Sequence, residues 1–458
     1  MYGKYVDGEP RRHRTALVIA ILAGLLAFLL RWYFVTHAQV LETIDAGQLR
    51  GDAVQYYRYA WNIAHRDVFS SASPTTAIVV PDSFRDPGYP LLMAAIMVLT
   101  VSFPAFYAKM LLLQALLGAI TVSLLVLAAR DWLPSAGLAV SALLMAIWPH
   151  SIAITAYLVS ETLVALLCAS ALLALRWAIS SQAQHRYVVT GLAFGLTAIT
   201  NAVFIPFGVV LAAVLWRRKL ANGRLVLALA LASLALPCLW GVRSTMLPPS
   251  ASATSRAVTN FVQGSWPTYH VAYHLAARGE AESIDQLRGI QYEIDLLQND
   301  PLAGLALMRH RMGELAVPYL RWYIGKPALL WGWDIRVGWG DIYVYATRFS
   351  PFEKGRPWAP IESACFVLNP VLMALGFIGA LAALFLRRRD AIALACSSLA
   401  LFITLVYGLL QSEPRYSIPL RGVEILLATW GAVSVAAALR ARATTREGSV
   451  PPTKHASD

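Results

Sequence analysis

The chain has 458 residues, 58% of them hydrophobic and only 14% charged, with a net charge of +12 and a mean hydropathy of +0.56. A soluble protein of this length carries about 25% charged residues, so a soluble globular body is excluded. The four cysteines (Cys168, Cys238, Cys365 and Cys396) lie in or beside apolar runs, which argues against a disulfide framework or a zinc site.

Apolar runs near the length of a bilayer crossing recur along most of the sequence. They are too long for barrel strands, and in lipid only a helix then satisfies its own backbone. The expected class is an all-α polytopic membrane protein. In chain order, spans are expected at 16–35, 105–129, 134–150, 159–179, 187–201, 202–216, 223–246, 365–386, 391–410 and 417–439. The first follows Arg11, Arg12 and Arg14 as in a signal peptide, but its length is that of a span, and Arg31-Trp32-Tyr33 reads as an interfacial anchor. An uncleaved anchor is expected. One further run, 89–103, has the length of a re-entrant or interfacial segment and is punctuated by Pro87, Pro90 and Pro104.

The positive-inside rule decides whether that run crosses. If it does not, the basic N-terminus, Arg130, Arg176 with Arg186, the cluster 217–219 with Arg224, the cluster 387–389 and the tail from Arg440 fall on one side. That side then holds 18 Lys/Arg against 6 Asp/Glu, a difference of 12 that equals the whole net charge. The expectation is ten spans, both termini cytoplasmic and a non-crossing 89–103 segment. The chain divides into a transmembrane module at 1–246 with a first outer loop at 36–104, a large outer loop region at 247–364, C-terminal spans at 365–440 and a disordered tail at 441–458. Within the large loop, 300–330 carries Arg309, Arg311, Glu314, Arg321 and Lys326 among apolar residues. That pattern suits a membrane-surface helix or a packed helix of a small outer domain.

Ionisable groups at membrane depth are costly and usually functional. Asp52 heads a helix-like stretch with Gln55, Tyr56 and Tyr59 on a neighbouring face, where it suits either an N-cap or a general base. Arg85, Asp86 and Tyr89 open the non-crossing segment. Lys109 and Glu161 stand at outer ends of spans, and Glu413, Arg415 and Tyr416 at the mouth of the last. Arg421 and Glu424, one helical turn apart, suit a structural ion pair. Cations for a phosphate and a carboxylate for a proton, all at one boundary, are what a lipid-phosphate substrate requires.

The order D-x-x-x-Y-x-x-x-A from Asp52, R-x-P-G-Y-P-L from Arg85, S-E-T-L from Ser160 and R-Y-x-x-P from Arg415 resembles the GT-C integral-membrane glycosyltransferases. The protein O-mannosyltransferase and aminoarabinose transferase group (glycosyltransferase family 39) is the branch it is most similar to. The resemblance covers roughly 15–245 and, more loosely, the last three spans. It implies that Asp52 is the catalytic base, that Arg85 lies near the donor, and that Arg415 and Tyr416 lie near the lipid phosphate. Glu161 matches an acidic residue that lines the active site in relatives and can bind a metal, so a divalent cofactor (Mg²⁺, Mn²⁺ or Zn²⁺) is an option there. Two positions depart from the family pattern: Ala53 where a second acid often follows the Asp, and Asn201 where relatives often carry Arg.

The expected function is an inverting hexosyl- or pentosyltransferase that uses a polyprenyl-phosphate-linked sugar at the periplasmic face of a bacterial inner membrane, with a lipid, glycan or protein acceptor. Lys109 joins Arg85 and Arg415 as a cation for the phosphate, and Tyr56, Tyr59 and Tyr89 shape the pocket. Two rivals are a transporter, which should show repeated halves or broken midplane helices, and an O-antigen polymerase or ligase, which should depend on Arg309, His310 and Arg311. Nucleic-acid binding is not supported, because membrane orientation accounts for the positive excess.

Overall fold

The computed structural model describes residues 9–41, 51–247, 253–354, 356–385 and 390–447. The basic cluster at 387–389 and the tail beyond 447 lie outside the described residues. The architecture is helical throughout. α1 (Glu9–His37) leads to two outer helices, α2 (Asp52–Arg66) and α3 (Gly88–Val98), and then to α4 (Phe103–Ala129), which packs along α1. α5 (Ser135–Ile147) and α6 (Pro149–Ala153) belong to one run bent by 52°. The bend follows from Pro149, which lacks an N–H and keeps the preceding Trp148 extended at ψ 119.

α7 (Glu161–Ser181), α8 (Gln184–Thr200), α9 (Phe207–Arg217) and α10 (Gly223–Thr245) complete the first bundle, with α4 against α7, α7 against α8 and α8 against α10. The large outer region holds α11 (Ala253–Gly264), α12 (Tyr269–Ala277), α13 (Ala281–Asn299), α14 (Pro301–Glu314), α15 (Ala316–Leu330) and α16 (Pro351–Lys354). α17 (Trp358–Phe385), α18 (Ala391–Leu409), the short α19 (Pro414–Ser417) and α20 (Arg421–Glu447) close the chain, α17 lying along α20. A two-stranded antiparallel sheet, β1 (Gln39–Val40) and β2 (Thr347–Arg348), ties the end of α1 to the large outer region.

Among the described residues seven helices are long and apolar enough to cross a membrane, or eight if the bent α5–α6 run counts as one span. The sequence-based count of ten differs at 187–201 and 202–216. There α8 has 17 residues and the apolar stretch Ala202–Arg217 is shorter still, each below the about 20 residues of a crossing. α3 has 11 residues, about 16 Å of helix, roughly half the ~30 Å hydrocarbon core, as expected of a segment that does not cross.

Three local expectations change. Arg31 is not an interfacial anchor: it is 2% exposed and turned into the bundle, while Trp32 and Tyr33 face outward. The 300–330 stretch is two helices, broken at Leu315, whose φ of −125° and ψ of 45° are not helical. Its charges are not all on a surface either. Lys326 is fully buried and donates to the Gly408 and Leu410 carbonyls at 3.1 and 2.8 Å. Arg311 grips Glu293 at 2.7 Å and lies 4.1 Å over the Trp266 ring. The Arg421–Glu424 pair is as expected, at 2.8 Å and buried.

Candidate functional site

The opening residue of α2 organises the site. Gly51 is the N-cap, at φ 78°, a conformation that side chains other than glycine rarely adopt, and a Cβ there would stand 3.4 Å from the Tyr345 hydroxyl. Asp52 is therefore the first helical residue rather than the cap. Its carboxylate turns away from the helix backbone to two guanidiniums: Oδ1 accepts from Arg85 Nη2 at 2.5 Å and Oδ2 from Arg415 Nη2 at 2.8 Å. Arg415 reaches on through Nε to Glu161 Oε1, so one guanidinium bridges the two carboxylates. Arg85 donates through Nε to the Gln55 side-chain Oε1 at 2.5 Å and lies 5.3 Å over the Tyr56 ring.

The set thus draws one charge from each of four places: α2, the loop before α3, the start of α7 and the turn of α19. Two carboxylates meet two arginines, so the cluster is formally neutral. Asp52 is its most accessible member, with 27% side-chain exposure against 9–16% for the other three. Burial pushes the Asp52 carboxyl up, but the charges of Arg85 and Arg415 act more strongly the other way and hold it well below the ordinary carboxylate range.

The aromatic residues form two walls. Tyr56 donates to Ser160 Oγ at 3.3 Å and meets Tyr89 edge-on at 5.1 Å, and Tyr89 donates to Gln114 at 2.8 Å. Tyr416 stacks on Tyr407 at 4.8 Å and donates to Gln411. Two expected members stand elsewhere. Tyr59 is wholly buried on another face of α2, where it packs on Phe69 and donates to Asp82, a residue that also holds the Ser71 backbone N–H and hydroxyl. Lys109 donates to the Leu99 carbonyl at 3.1 Å, at the far end of α3 from Arg85.

Three contributors carry no motif. Tyr345 accepts from the Ala53 N–H at 3.3 Å and enters from the large outer region, brought there by the β1–β2 pairing two residues on. Arg256 of α11 pairs with Asp86 at 2.7 Å. Tyr407, at the end of α18, is visible only as one more apolar residue of a span. Glu413 is different again: 1% exposed, it accepts from the Val337 N–H at 3.2 Å, and burial pushes its carboxyl up to about 8.

Among the described residues the donor set forms no built divalent-metal site. Arg415 occupies the place between Asp52 and Glu161 where such an ion would need both carboxylates, and among the described residues no three His, Cys, Asp or Glu side chains come together. What the arrangement offers is a reachable carboxylate beside two guanidiniums, at the outer ends of apolar helices.

No family model matches the chain, and no curated protein matches it. Among solved structures, it superposes on the oligosaccharyltransferase of Archaeoglobus fulgidus in the apo form with a TM-score of 0.50 and 14% identity, over 98% of this chain and 52% of that one. The same protein with zinc and sulfate gives 0.48 and 14%, over 93% and 50%. ArnT from Cupriavidus metallidurans bound to undecaprenyl phosphate gives 0.37 and 14%, over 94% and 81%. The chain spans about half the length of the oligosaccharyltransferase it matches. The likeness is one of fold alone.

Proposed function

We propose that this GT-C chain is an inverting glycosyltransferase that takes a sugar from a polyprenyl-phosphate carrier of the undecaprenyl-phosphate type and passes it to a cell-envelope acceptor. The observation that carries this reading is Asp52, partly exposed between Arg85 and Arg415 at the mouth of an apolar bundle. Apolar helices accommodate a lipid tail. Guanidinium forks match phosphate oxygens, and a carboxylate takes a proton.

The acceptor hydroxyl oxygen bonds to the anomeric carbon as the bond from that carbon to the phosphate oxygen breaks. Asp52 takes the hydroxyl proton. The electron pair of the broken bond leaves on the lipid phosphate, where Arg85 and Arg415 meet its charge. One placed base contributes ~10²–10⁴-fold, and the rest comes from positioning and leaving-group electrostatics.

The same two arginines that receive the phosphate suppress Asp52 while the site is at rest. A phosphate that engages them draws positive charge off the carboxylate, so the carrier readies the base it needs. On this reading the cluster faces the periplasm of a bacterial inner membrane and both termini are cytoplasmic, since the positive excess of the sequence lies on the opposite side. Of the loop residues on which the polymerase or ligase reading depends, Arg311 is committed to Glu293 and Trp266, while Arg309 and His310 are exposed.

Purified protein incubated with a panel of polyprenyl-phosphate-linked hexoses and pentoses tests the reading. Consumption of at least one donor, with release of the polyprenyl phosphate, is expected. A protein that consumes none across the panel, while binding polyprenyl phosphate no better than an unphosphorylated polyprenol, is not this enzyme.

A further inference from the structure

Arg31 has no role in the chemistry above, yet it is among the largest fully buried side chains of the molecule. It lies near the outer end of α1, inside the bundle. Its Nη1 donates to the Ala27 and Ala146 carbonyls at 3.1 Å each and its Nη2 to the Met145 carbonyl at 3.4 Å. None of these partners carries a charge, and among the described residues no carboxylate pairs with it. An arginine kept at such depth against neutral carbonyls alone is costly, and residues of this kind are seldom retained without a function.

The space around it is specific. Gly118 of α4 faces the guanidinium, and a Cβ there would come within 2.7 Å of Arg31 Nε. Arg31, Thr121, Ser151, Glu161 and Thr162 line one cavity of about 40 Å³ between α1, α4, α7 and α20. Three buried atoms of these lining residues, Arg31 Nε, Glu161 Oε2 and Thr162 Oγ1, have no hydrogen-bond partner among the described residues. Their residues are 2%, 8% and 3% exposed. A cavity holds a water once it has roughly 10–15 Å³ and two to four polar partners; the volume suffices here, and the three unpartnered atoms are the partners on offer. Glu161 is also the carboxylate that holds Arg415 through its other oxygen.

We propose that ordered water in this cavity joins Arg31 to Glu161, and that Arg31 is thereby a positioning residue for the site. Its charge and the water hold Glu161 oriented so that Oε1 grips Arg415, which in turn faces Asp52 and the incoming phosphate. The kinetic part of this inference rests on the transfer reaction proposed above; the water site does not.

Two measurements test it. A cryo-electron microscopy map of the full chain in lipid nanodiscs, at a resolution that shows ordered waters, should place water density between Arg31 Nε and Glu161 Oε2. The kinetic arm compares Arg31→Gln, Glu161→Gln and the double variant. Arg31→Gln should lower kcat/KM about tenfold alone but cost less than about twofold further in the Glu161→Gln background, because residues in one network are not additive. Arg31→Lys, which keeps the charge, should recover much of the loss. If Arg31→Gln does not fold, Thr162→Val replaces it in the same cycle, with the same non-additivity expected. A cavity without water density, losses that multiply, or a Lys variant no better than Gln would overturn the proposal. Water density in a protein that transfers no sugar would leave the water site standing and remove the transfer reading instead.

Discussion

Asp52 and Glu413 are the two carboxyls that compete for the part of base, and they differ in opposite ways. Glu413 has the proton affinity closer to neutrality, but it is 1% exposed and held by the Val337 N–H. Asp52 is reachable, but two guanidiniums make it a weak base at rest. Access decides, because a base must come within hydrogen-bond reach of the hydroxyl it deprotonates. The weakness of Asp52 then becomes a prediction. Its carboxyl is held low in the free protein, so kcat/KM, which reports the free enzyme, should keep its value far into acid. Once phosphate has engaged the arginines, the carboxyl rises, so kcat, which reports the bound state, should fall with an acid limb at higher pH. Coincident limbs in the two profiles would show that the carrier does not free the base. At this scale the sequence was generous for groups that stand in motifs: Asp52, Arg85, Glu161 and Arg415, each read from a motif, meet in space. It was silent on Tyr345, which arrives through a two-residue strand pairing, and it put Tyr59 and Lys109 into a cluster whose contacts they do not share.

Helix type and order were legible from apolar run lengths, and helix depth less so. The short α3 follows from its proline punctuation, but a run of 15–17 residues, such as α8, is ambiguous between a crossing and a packed helix until its neighbours are known. The two-helix form of 300–330 was hidden for a related reason. Its apolar pattern runs through Leu315, and only the backbone angles there show the break. Arg311 and Lys326 read as surface charges because the residues that satisfy them, Glu293 and the Gly408 and Leu410 carbonyls, are distant in sequence. The non-crossing α3 has a direct consequence for sidedness. Cysteines introduced at Ala281, in the large outer region, and at Ser181, at the end of α7, should lie on opposite faces of the membrane. In intact cells an impermeant thiol reagent is expected to label the Ala281 site alone, and labelling of the Ser181 site alone would invert the topology.

Across the described residues the molecule is an apolar bundle with a neutral knot of charge formed by Asp52, Arg85, Glu161 and Arg415, and β1 and β2 tie the region 247–364 to α1. An ion-pair knot of this kind could be purely structural. Breaking a buried pair by removing one partner typically costs about 3–5 kcal/mol, so truncation of either arginine confounds stability with chemistry. Asp52→Asn keeps size, polarity and an acceptor oxygen for the arginines while removing the charge and the basic lone pair, so its folding is checked before its rate is read. Gly51 occupies the N-cap position and no side-chain capping bond is made there, so the substitution removes none. The decisive measurement is single-turnover sugar transfer by folded Asp52→Asn protein loaded with a donor that the wild type consumes. The account predicts that the variant binds donor and transfers at least ~100-fold more slowly. Transfer at more than about half the wild-type rate would contradict it and leave the knot a structural clamp.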